Sequence, residues 1–275
     1  MKTLLSTLMG ALILLPMTFS KVQAQDDDRP GFVVFTRTHW NMTLPDSEES
    51  RKDWYDHEKE YLDKVTMKND HVMGTSVLRH VYTEDNSEVI LVSVYKTWND
   101  IELASAKYDE LEAAAWPNRN DRRAFFREWN KYYENRHSDE IYETLAGAKL
   151  PAQPNDSSVI VYIQKVYRAY PEDGTNAEFE ALRLEYAQKV IHKNPYVKAY
   201  YPMRHAWGSD NRELVDVFIV DSVCDVAMMN QSYDDLENAA WPNEKDRKAF
   251  FEKLDKYYSG QHGDYIYATI PGVSK

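Results

Sequence analysis

Residues 108–142 read YDELEAAAWPNRNDRRAFFREWNKYYENRHSDEIY, and residues 233–267 read YDDLENAAWPNEKDRKAFFEKLDKYYSGQHGDYIY. The two stretches align without a gap at a shift of 125 residues, and 21 of the 35 positions are identical. At ordinary amino-acid usage, chance would give about two identities. The chain is therefore a tandem duplication of a unit of about 115 residues, which is the size of a small domain.

The leader and the duplication together divide the chain into four predicted segments. These are a signal peptide at 1–24, a first unit at 25–150, a linker at 151–158 and a second unit at 159–275. The leader has a lysine, an apolar run and the small-x-small cleavage signal Val22-Gln23-Ala24. A retained membrane anchor is the alternative. We expect an exported protein, periplasmic or secreted, with no membrane span in the mature chain, because no later stretch reaches the ~18 apolar residues of a spanning helix.

The composition is that of a globular protein, with 43% hydrophobic residues and only 9 Gly and 11 Pro, which excludes collagen-like and low-complexity chains. A formal net charge of -12 argues against a nucleic-acid partner. The single cysteine, Cys224, cannot form an intrachain disulfide, and its helical context predicts a small buried residue. No Walker A, dinucleotide-binding, zincin, nucleophile-elbow or covalent-haem motif occurs, and the sequence identifies no cofactor.

The hydrophobic periods of each unit predict the order βαββαβ with an extra helix before the last strand. Capping residues mark the helix starts: Asp46-x-x-Glu49 and Thr175-x-x-Glu178 for the first helices, and Asp121 and Asp246 for the third. This is the ferredoxin-like plan, whose sheet has helices on one face only. The predicted fold class is α+β, with two ferredoxin-like units packed sheet to sheet as an intrachain α/β barrel. The predicted strands lie at 32–40, 72–82, 88–96, 141–145, 159–167, 196–207, 213–221 and 265–270.

The tandem βαββαβ order and the strand-borne pairs Arg79-His80 and Arg204-His205 resemble the dimeric α/β-barrel superfamily. That superfamily includes antibiotic-biosynthesis monooxygenase-like, stress-responsive and chlorite-dismutase-like proteins. The resemblance covers about residues 31–271 and matches no catalytic motif of one member family. It implies an intrachain barrel with a lumen between the sheets, and it supplies no reaction, because one fold hosts many functions.

The two Arg-His pairs are the first candidates for a site. Consecutive strand residues point to opposite faces, so one residue of each pair should face the lumen. Lumenal Arg79 and Arg204 would hold an anionic ligand. Lumenal His80 and His205 would transfer protons or ligate a metal or haem. The alternative is that these side chains make only structural pairs.

Two further histidines are specific to the first unit. The shift of 125 places His57 opposite Leu182 on an apolar helix stripe. His39 and Trp40, at the end of the first strand, align with Gln164 and Lys165 of the second copy, which has no histidine there. Both histidines are candidates for asymmetric catalytic chemistry, and Trp40 for ligand binding. A partly exposed helix edge and a loop edge are the structural alternatives.

The retained Trp-Pro-Asn corner and the last strand supply the other candidate ligand-binding residues. A tryptophan can stack on a ligand and an asparagine can hydrogen-bond it, although the corner also has a structural account as a helix stop. His137-x-Asp139 and His262-x-Asp264 lack a third ligand, so no metal site is predicted. The candidates are Trp116, Trp241, Asn118, Asn243, Tyr142 and Tyr267.

The sequence thus predicts an exported protein that binds a small hydrophobic or aromatic ligand in the lumen, or that oxidises it there as a cofactor-independent monooxygenase-like enzyme. The alternatives are a non-catalytic binding or assembly module and a haem-binding protein. The oligomeric state is left open.

Overall fold

The computed structural model describes residues 30–152 and 157–275. The predicted signal peptide and the central part of the predicted linker lie outside the described residues. The division into four segments therefore stays a prediction.

The first unit has the predicted order of strands and helices, and a short 3-10 turn at Thr66–Lys68 follows its first helix. Its elements are β1 (Phe32–His39), α1 (Glu48–Lys64), β2 (Gly74–Tyr82), β3 (Glu88–Tyr95), α2 (Trp98–Ala115), α3 (Arg119–Asn130) and β4 (Ser138–Thr144).

The second unit repeats this order with one change: its long second helix is broken at Ser232, whose hydroxyl donates to the carbonyl of Met229 at 2.7 Å. A serine hydroxyl that bonds a preceding carbonyl competes with the helical ladder. The elements are β5 (Ile160–Arg168), α4 (Asn176–Lys189), β6 (Ala199–Trp207), β7 (Glu213–Val220), α5 (Val223–Gln231), α6 (Tyr233–Ala240), α7 (Glu244–Asp255) and β8 (Tyr258–Thr269).

The eight strands form one closed antiparallel barrel in the order β1-β3-β2-β8-β5-β7-β6-β4, and β4 pairs with β1 to close it. Two seams join the units, because β2 pairs with β8 and β4 pairs with β6. The inner faces of both sheets pack into one apolar core. The predicted sheet-to-sheet barrel is confirmed.

The number of residues that separates equivalent positions in the two units is not 125 at the first strand. His39 pairs with Glu88, and Tyr167 pairs with Glu213, its repeat counterpart. The structural counterpart of His39 is therefore Tyr167, at an offset of 128, and the predicted alignment with Gln164-Lys165 is wrong. The cause is helix length, since α1 has 17 residues and α4 has 14.

The structure corrects three local predictions. Thr175 caps α4 as predicted, but α1 is capped by Ser47, which accepts from the Ser50 amide at 3.1 Å, rather than by Asp46. Asn118 and Asn243 cap α3 and α7, so Asp121 and Asp246 lie inside the first turns instead. Cys224 is exposed because it lies on the outer side of the first turn of α5, not in the core.

Candidate functional site

The histidine of each Arg-His pair faces the lumen, and the arginine faces outward. His80 and His205 alternate with Leu78 and Met203, which belong to the lumenal core. Arg204 lies outside the barrel, 2.8 Å from Glu143 and 3.1 Å from Glu180. These ion pairs fix Arg204 at the junction of β4 and α4, away from the lumen.

The lumen has a polar half, in which one network surrounds Glu213. The hydroxyl of Tyr142 donates to this carboxylate at 2.6 Å, and the Lys165 ammonium lies 2.7 Å from it. All three side chains are buried. Burial and the charge of Glu213 raise the pKa of the Tyr142 hydroxyl well above its ordinary value, so the tyrosine remains a donor.

A second network surrounds Glu88, the repeat counterpart of Glu213. Tyr267 donates its hydroxyl to Glu88, and the Arg37 Nε lies 3.2 Å from the same carboxylate. Each tyrosine thus bonds a glutamate of the other unit. The predicted ligand-binding candidates Tyr142 and Tyr267 are occupied by these two networks.

The lumenal histidines lie beside these networks. The Nδ1 of His80 contacts the Thr83 hydroxyl at 2.7 Å, whereas the Nε2 of His205 is buried with no partner in the described part of the chain. A cavity does open inside the barrel, but it lies in the apolar half and neither histidine lines it. The structure therefore does not bring His80, His205, Arg79 and Arg204 around one pocket.

The two first-unit histidines lie in different places: His57 is on α1, outside the barrel, whereas His39 ends β1 on the same face as the lumenal Arg37. His57 is partly buried, with its Nδ1 2.7 Å from the Asp53 carbonyl and its ring against Phe125. The Nε2 of His39 lies 3.4 Å from Asp85. Neither histidine lines a cavity described below.

Trp40 and Arg79, predicted separately, line the same surface groove of about 600 Å3 beside α1. Trp40 stacks on Tyr133 at 5.4 Å between ring centroids. A shallower cleft of about 560 Å3 lies next to it along α1.

The Trp-Pro-Asn corners have structural contacts in both units. Trp116 stacks on Phe125 at 4.2 Å and Trp241 on Phe250 at 4.1 Å, with both indoles buried. The asparagine side chains accept from backbone amides as helix caps.

The exposed pairs His137–Asp139 and His262–Asp264 remain two-residue pairs, and no group of three or more metal-ligating side chains occurs among the described residues.

A different cavity lies in the second unit, between the outer face of the sheet and α4, α6 and α7. We call it the second-unit pocket; its volume is about 280 Å3. Tyrosine and phenylalanine rings supply much of its wall, and a buried charged pair lies within it. Its lining residues are Gln164, Val166, Arg183, Tyr186, Ile191, Tyr200, Asp216, Phe218, Tyr233, Phe251, Leu254 and Tyr258.

The charged pair is Arg183 and Asp216, 2.5 Å apart and both largely buried. The hydroxyl of Tyr200 donates to the same oxygen, Asp216 Oδ1, at 2.6 Å, and Arg183 also contacts the Tyr258 hydroxyl at 3.1 Å. Burial is the largest single influence on Arg183 and opposes its charge, but Asp216, Tyr258 and Tyr200 together outweigh it and hold the pKa of the guanidinium well above its ordinary value.

Asp216 Oδ2 and the hydroxyl of Tyr233 are available to a ligand in the pocket. The described residues provide no hydrogen-bond partner for Asp216 Oδ2 or for the hydroxyl of Tyr233, although both residues line the cavity. Burial, followed by the charges of Asp216 and Glu237, raises the pKa of Tyr233, so its hydroxyl stays protonated. The pocket therefore offers a free acceptor and a free donor.

The duplication explains why this pocket opens in the second unit. Leu254 corresponds to Trp129, whose ring packs 4.6 Å from Tyr61, the counterpart of the lining residue Tyr186. The Trp129 indole donates to Glu58, the counterpart of Arg183, at 2.8 Å. A tryptophan thus occupies in the first unit the space that Leu254 leaves open in the second.

Sequence reasoning missed Arg183 and Asp216. Their repeat counterparts are Glu58 and Leu91. One largely buried position therefore changes the sign of its charge between the copies, and another, partly buried in the first unit, changes from apolar to acidic. A change of charge or polarity between the two copies at such positions was the sequence signal that could have identified this pair. The sequence prediction instead selected histidines as the residues specific to one copy.

The second-unit pocket does not fit haem. None of the described residues that line it is a histidine, cysteine or methionine, which are common axial ligands. Its tyrosines, the remaining ligand type, have raised pKa values because they are buried, which disfavours the phenolate that iron requires. A volume of about 280 Å3 is also below the usual range for a drug-sized ligand, and haem is larger still.

Several solved structures have a similar fold. An anthrone oxidase-like protein superposes with a TM-score of 0.50 at 11% identity, covering 90% of this chain and 94% of that chain. A haem-binding protein from Thermus thermophilus gives 0.48 at 12% identity, covering 88% and 92%. Chlorite dismutase from Candidatus Nitrospira defluvii, in complex with imidazole, gives 0.46 at 10% identity, covering 89% and 93%.

No protein-family model matches the sequence, and a search of curated proteins gives no significant match. At 11% identity, the similarity to the anthrone oxidase-like protein bears on the fold alone. Together with the closed eight-stranded barrel of two ferredoxin-like units, it shows that the chain has the dimeric α+β-barrel fold.

Proposed function

We propose that the protein binds a small aromatic molecule with a hydroxyl group in the second-unit pocket. The observation that carries this proposal is the opening left by Leu254 beside the buried Arg183–Asp216 pair. An apolar cavity with a few convergent polar groups is the usual form of a small-molecule site.

The size and polarity of the pocket define the ligand class. A protein cavity of about 150 Å3 holds benzene, so a volume of about 280 Å3 accommodates one or two aromatic rings. Phe218, Phe251 and Tyr186 provide faces and edges for ring contacts. A ligand hydroxyl would donate to Asp216 Oδ2 and accept from Tyr233.

Calorimetric titration with 2-naphthol tests the proposal. We expect Leu254→Trp, which introduces the first-unit residue at this position, to weaken binding at least tenfold because the indole fills the cavity. Leu103→Trp, at an exposed position of α2, is the matched control and should bind as the wild type does. Equal affinity of all three proteins would exclude this pocket as the site.

Naphthalene tests the polar part of the proposal. Because it lacks the hydroxyl, it leaves Asp216 Oδ2 and Tyr233 without a ligand partner, and we expect it to bind roughly tenfold more weakly than 2-naphthol. Similar affinity for both compounds would show that the ring alone is recognised.

Oxidation of the bound molecule is a second candidate function, and the fold shared with an anthrone oxidase-like protein favours it. We expect oxygen uptake to accompany incubation with a reactive phenolic compound and to be lost in Leu254→Trp. Uptake that persists in the variant would place any oxidation elsewhere.

We also propose that the chain is exported, on the strength of the leader at 1–24. Amino-terminal sequencing of protein recovered from outside the cytoplasm should begin at Gln25. A chain that keeps its leader would be anchored instead.

No helix in the part of the chain covered by the structure has both the length and the apolar character needed to span a bilayer.

A further inference from the structure

The barrel interior is divided into two halves along its axis. The networks around Glu88 and Glu213 fill one half. The other half contains a cavity of about 350 Å3, a size within the usual range for ligand sites. We call it the lumenal cavity. It is separate from the second-unit pocket, because the sheet lies between them and the two share no lining residue.

Nearly all of the lumenal cavity is apolar. Its walls come from both units, with aliphatic side chains such as Leu78, Val92 and Val217 on facing strands. Pro30 and the segment after β4 form its rim, and Leu150 at that rim is 65% exposed. An apolar cavity of this kind excludes water and takes up apolar molecules.

The lining residues that the structure describes carry no charged side chain. Lys149, next to the rim residues Ala148 and Leu150, directs its ammonium away, toward the backbone carbonyls of Asn194 and Val197. A carboxylate or phosphate entering the cavity would therefore lose its hydration without gaining a cation, which is costly. The cavity selects against charged ligands.

Of the four hydroxyl side chains in the described lining, only that of Tyr201 makes no hydrogen bond, since the Ser76 hydroxyl accepts from that of Ser274 at 3.5 Å. The Thr144 hydroxyl donates to the Pro30 carbonyl, and the Thr269 hydroxyl accepts from the Val159 amide at 3.0 Å. The Tyr201 hydroxyl has no hydrogen-bond partner among the residues that the structure describes, and burial raises its pKa, so it remains a donor.

We infer that the lumenal cavity is a second binding site, specific for an uncharged aliphatic molecule with one oxygen acceptor, such as a medium-chain alcohol or ketone. The chain packs against the aliphatic walls, and the oxygen accepts a hydrogen bond from Tyr201. This inference is independent of the proposed function, because it concerns another cavity and another class of ligand.

Titration with decan-1-ol, decane and decanoate at neutral pH tests the ligand class. We expect decan-1-ol to bind, decane to bind more weakly, and decanoate to bind at least tenfold more weakly than the alcohol. Decanoate binding as tight as that of the alcohol would overturn the inference, since the described part of the lining has no cation.

Two variants test the location. Val217→Phe places a ring in the cavity, and we expect it to weaken decan-1-ol binding at least tenfold, with thermal unfolding as the check that the variant folds. Tyr201→Phe keeps the ring and removes the hydroxyl, so it should weaken decan-1-ol roughly two- to tenfold and leave decane unchanged. Equal effects of Tyr201→Phe on decane and decan-1-ol would contradict the proposed hydrogen bond.

Leu254→Trp separates the two proposals. If decan-1-ol occupies the lumenal cavity, its binding should survive this variant while 2-naphthol binding is lost. Loss of decan-1-ol binding in Leu254→Trp but not in Val217→Phe would assign the alcohol to the second-unit pocket and overturn the inference.

Discussion

At the scale of single residues, the two copies place opposite charges at one buried position. Arg183 has an adjacent carboxylate, whereas Glu58 is held by neutral donors, the Trp129 indole at 2.8 Å and the Tyr133 hydroxyl. Desolvation is the largest influence on Glu58 and outweighs these hydrogen bonds, so its pKa is raised above the ordinary 4.5.

This raised pKa makes stability depend on pH. The folded protein holds the Glu58 proton more tightly than the unfolded chain, so the contribution of Glu58 is most favourable below pH 4.5 and declines as the pH rises above it. Glu58→Gln removes that titration, while its amide oxygen can still accept both hydrogen bonds, which reach the same glutamate oxygen.

We therefore expect the stability of Glu58→Gln relative to the wild type to increase as the pH rises from 4 to 7. Urea unfolding of both proteins across this range measures the difference. A difference that stays constant with pH would show that Glu58 does not titrate abnormally.

At the scale of elements, the helix starts show how close a sequence prediction can come and still select the wrong residue. The sequence placed α3 and α7 correctly after the Trp-Pro corner, but assigned their caps to Asp121 and Asp246. Aspartate and asparagine are almost equally good caps. The two candidates in each unit lie three residues apart. The one that becomes the cap is set by where the chain leaves the Trp-Pro corner, and the capping preference of the residue type does not determine this.

Asn243 accepts from the amides of Lys245 and Asp246 at 2.9 and 3.3 Å. We expect Asn243→Ala to lower the free energy of unfolding by about 1 kcal/mol, because two amides of the first turn lose their acceptor. Asn243→Asp is the matched control and should retain most of the stability. Chemical denaturation of the three proteins is the measurement, and an alanine variant as stable as the wild type would argue against the cap.

At the scale of the whole molecule, the duplication and the one-sided sheet were sufficient to predict the barrel. Side chains alternate between the two faces of a strand, so the sequence also predicted that only one residue of each Arg-His pair faces the lumen. The position of the cavities could not be predicted in this way. It depends on which side chains fill the space, as with Trp129 and Leu254. The three-residue difference between α1 and α4, which a constant offset concealed, changed which residue of the second unit corresponds to His39.

The closed barrel predicts that the units unfold together. Both seams are strand pairs between units, and the lumenal core contains residues from both. Opening one unit would expose the core and the strand edges of the other. We expect one calorimetric transition for the full chain, with coincident loss of helical and aromatic circular dichroism signals. Two separate transitions would show that each unit is stable without its neighbour.

The reciprocal bonds from Tyr142 to Glu213 and from Tyr267 to Glu88 are those of a twofold-symmetric pair. In a homodimer of one such unit, every mutation would appear twice, so a leucine that opened one pocket would open both. Covalent fusion removes that constraint. One half can retain the ancestral scaffold while the other diversifies, and the seams between them preserve the shared architecture.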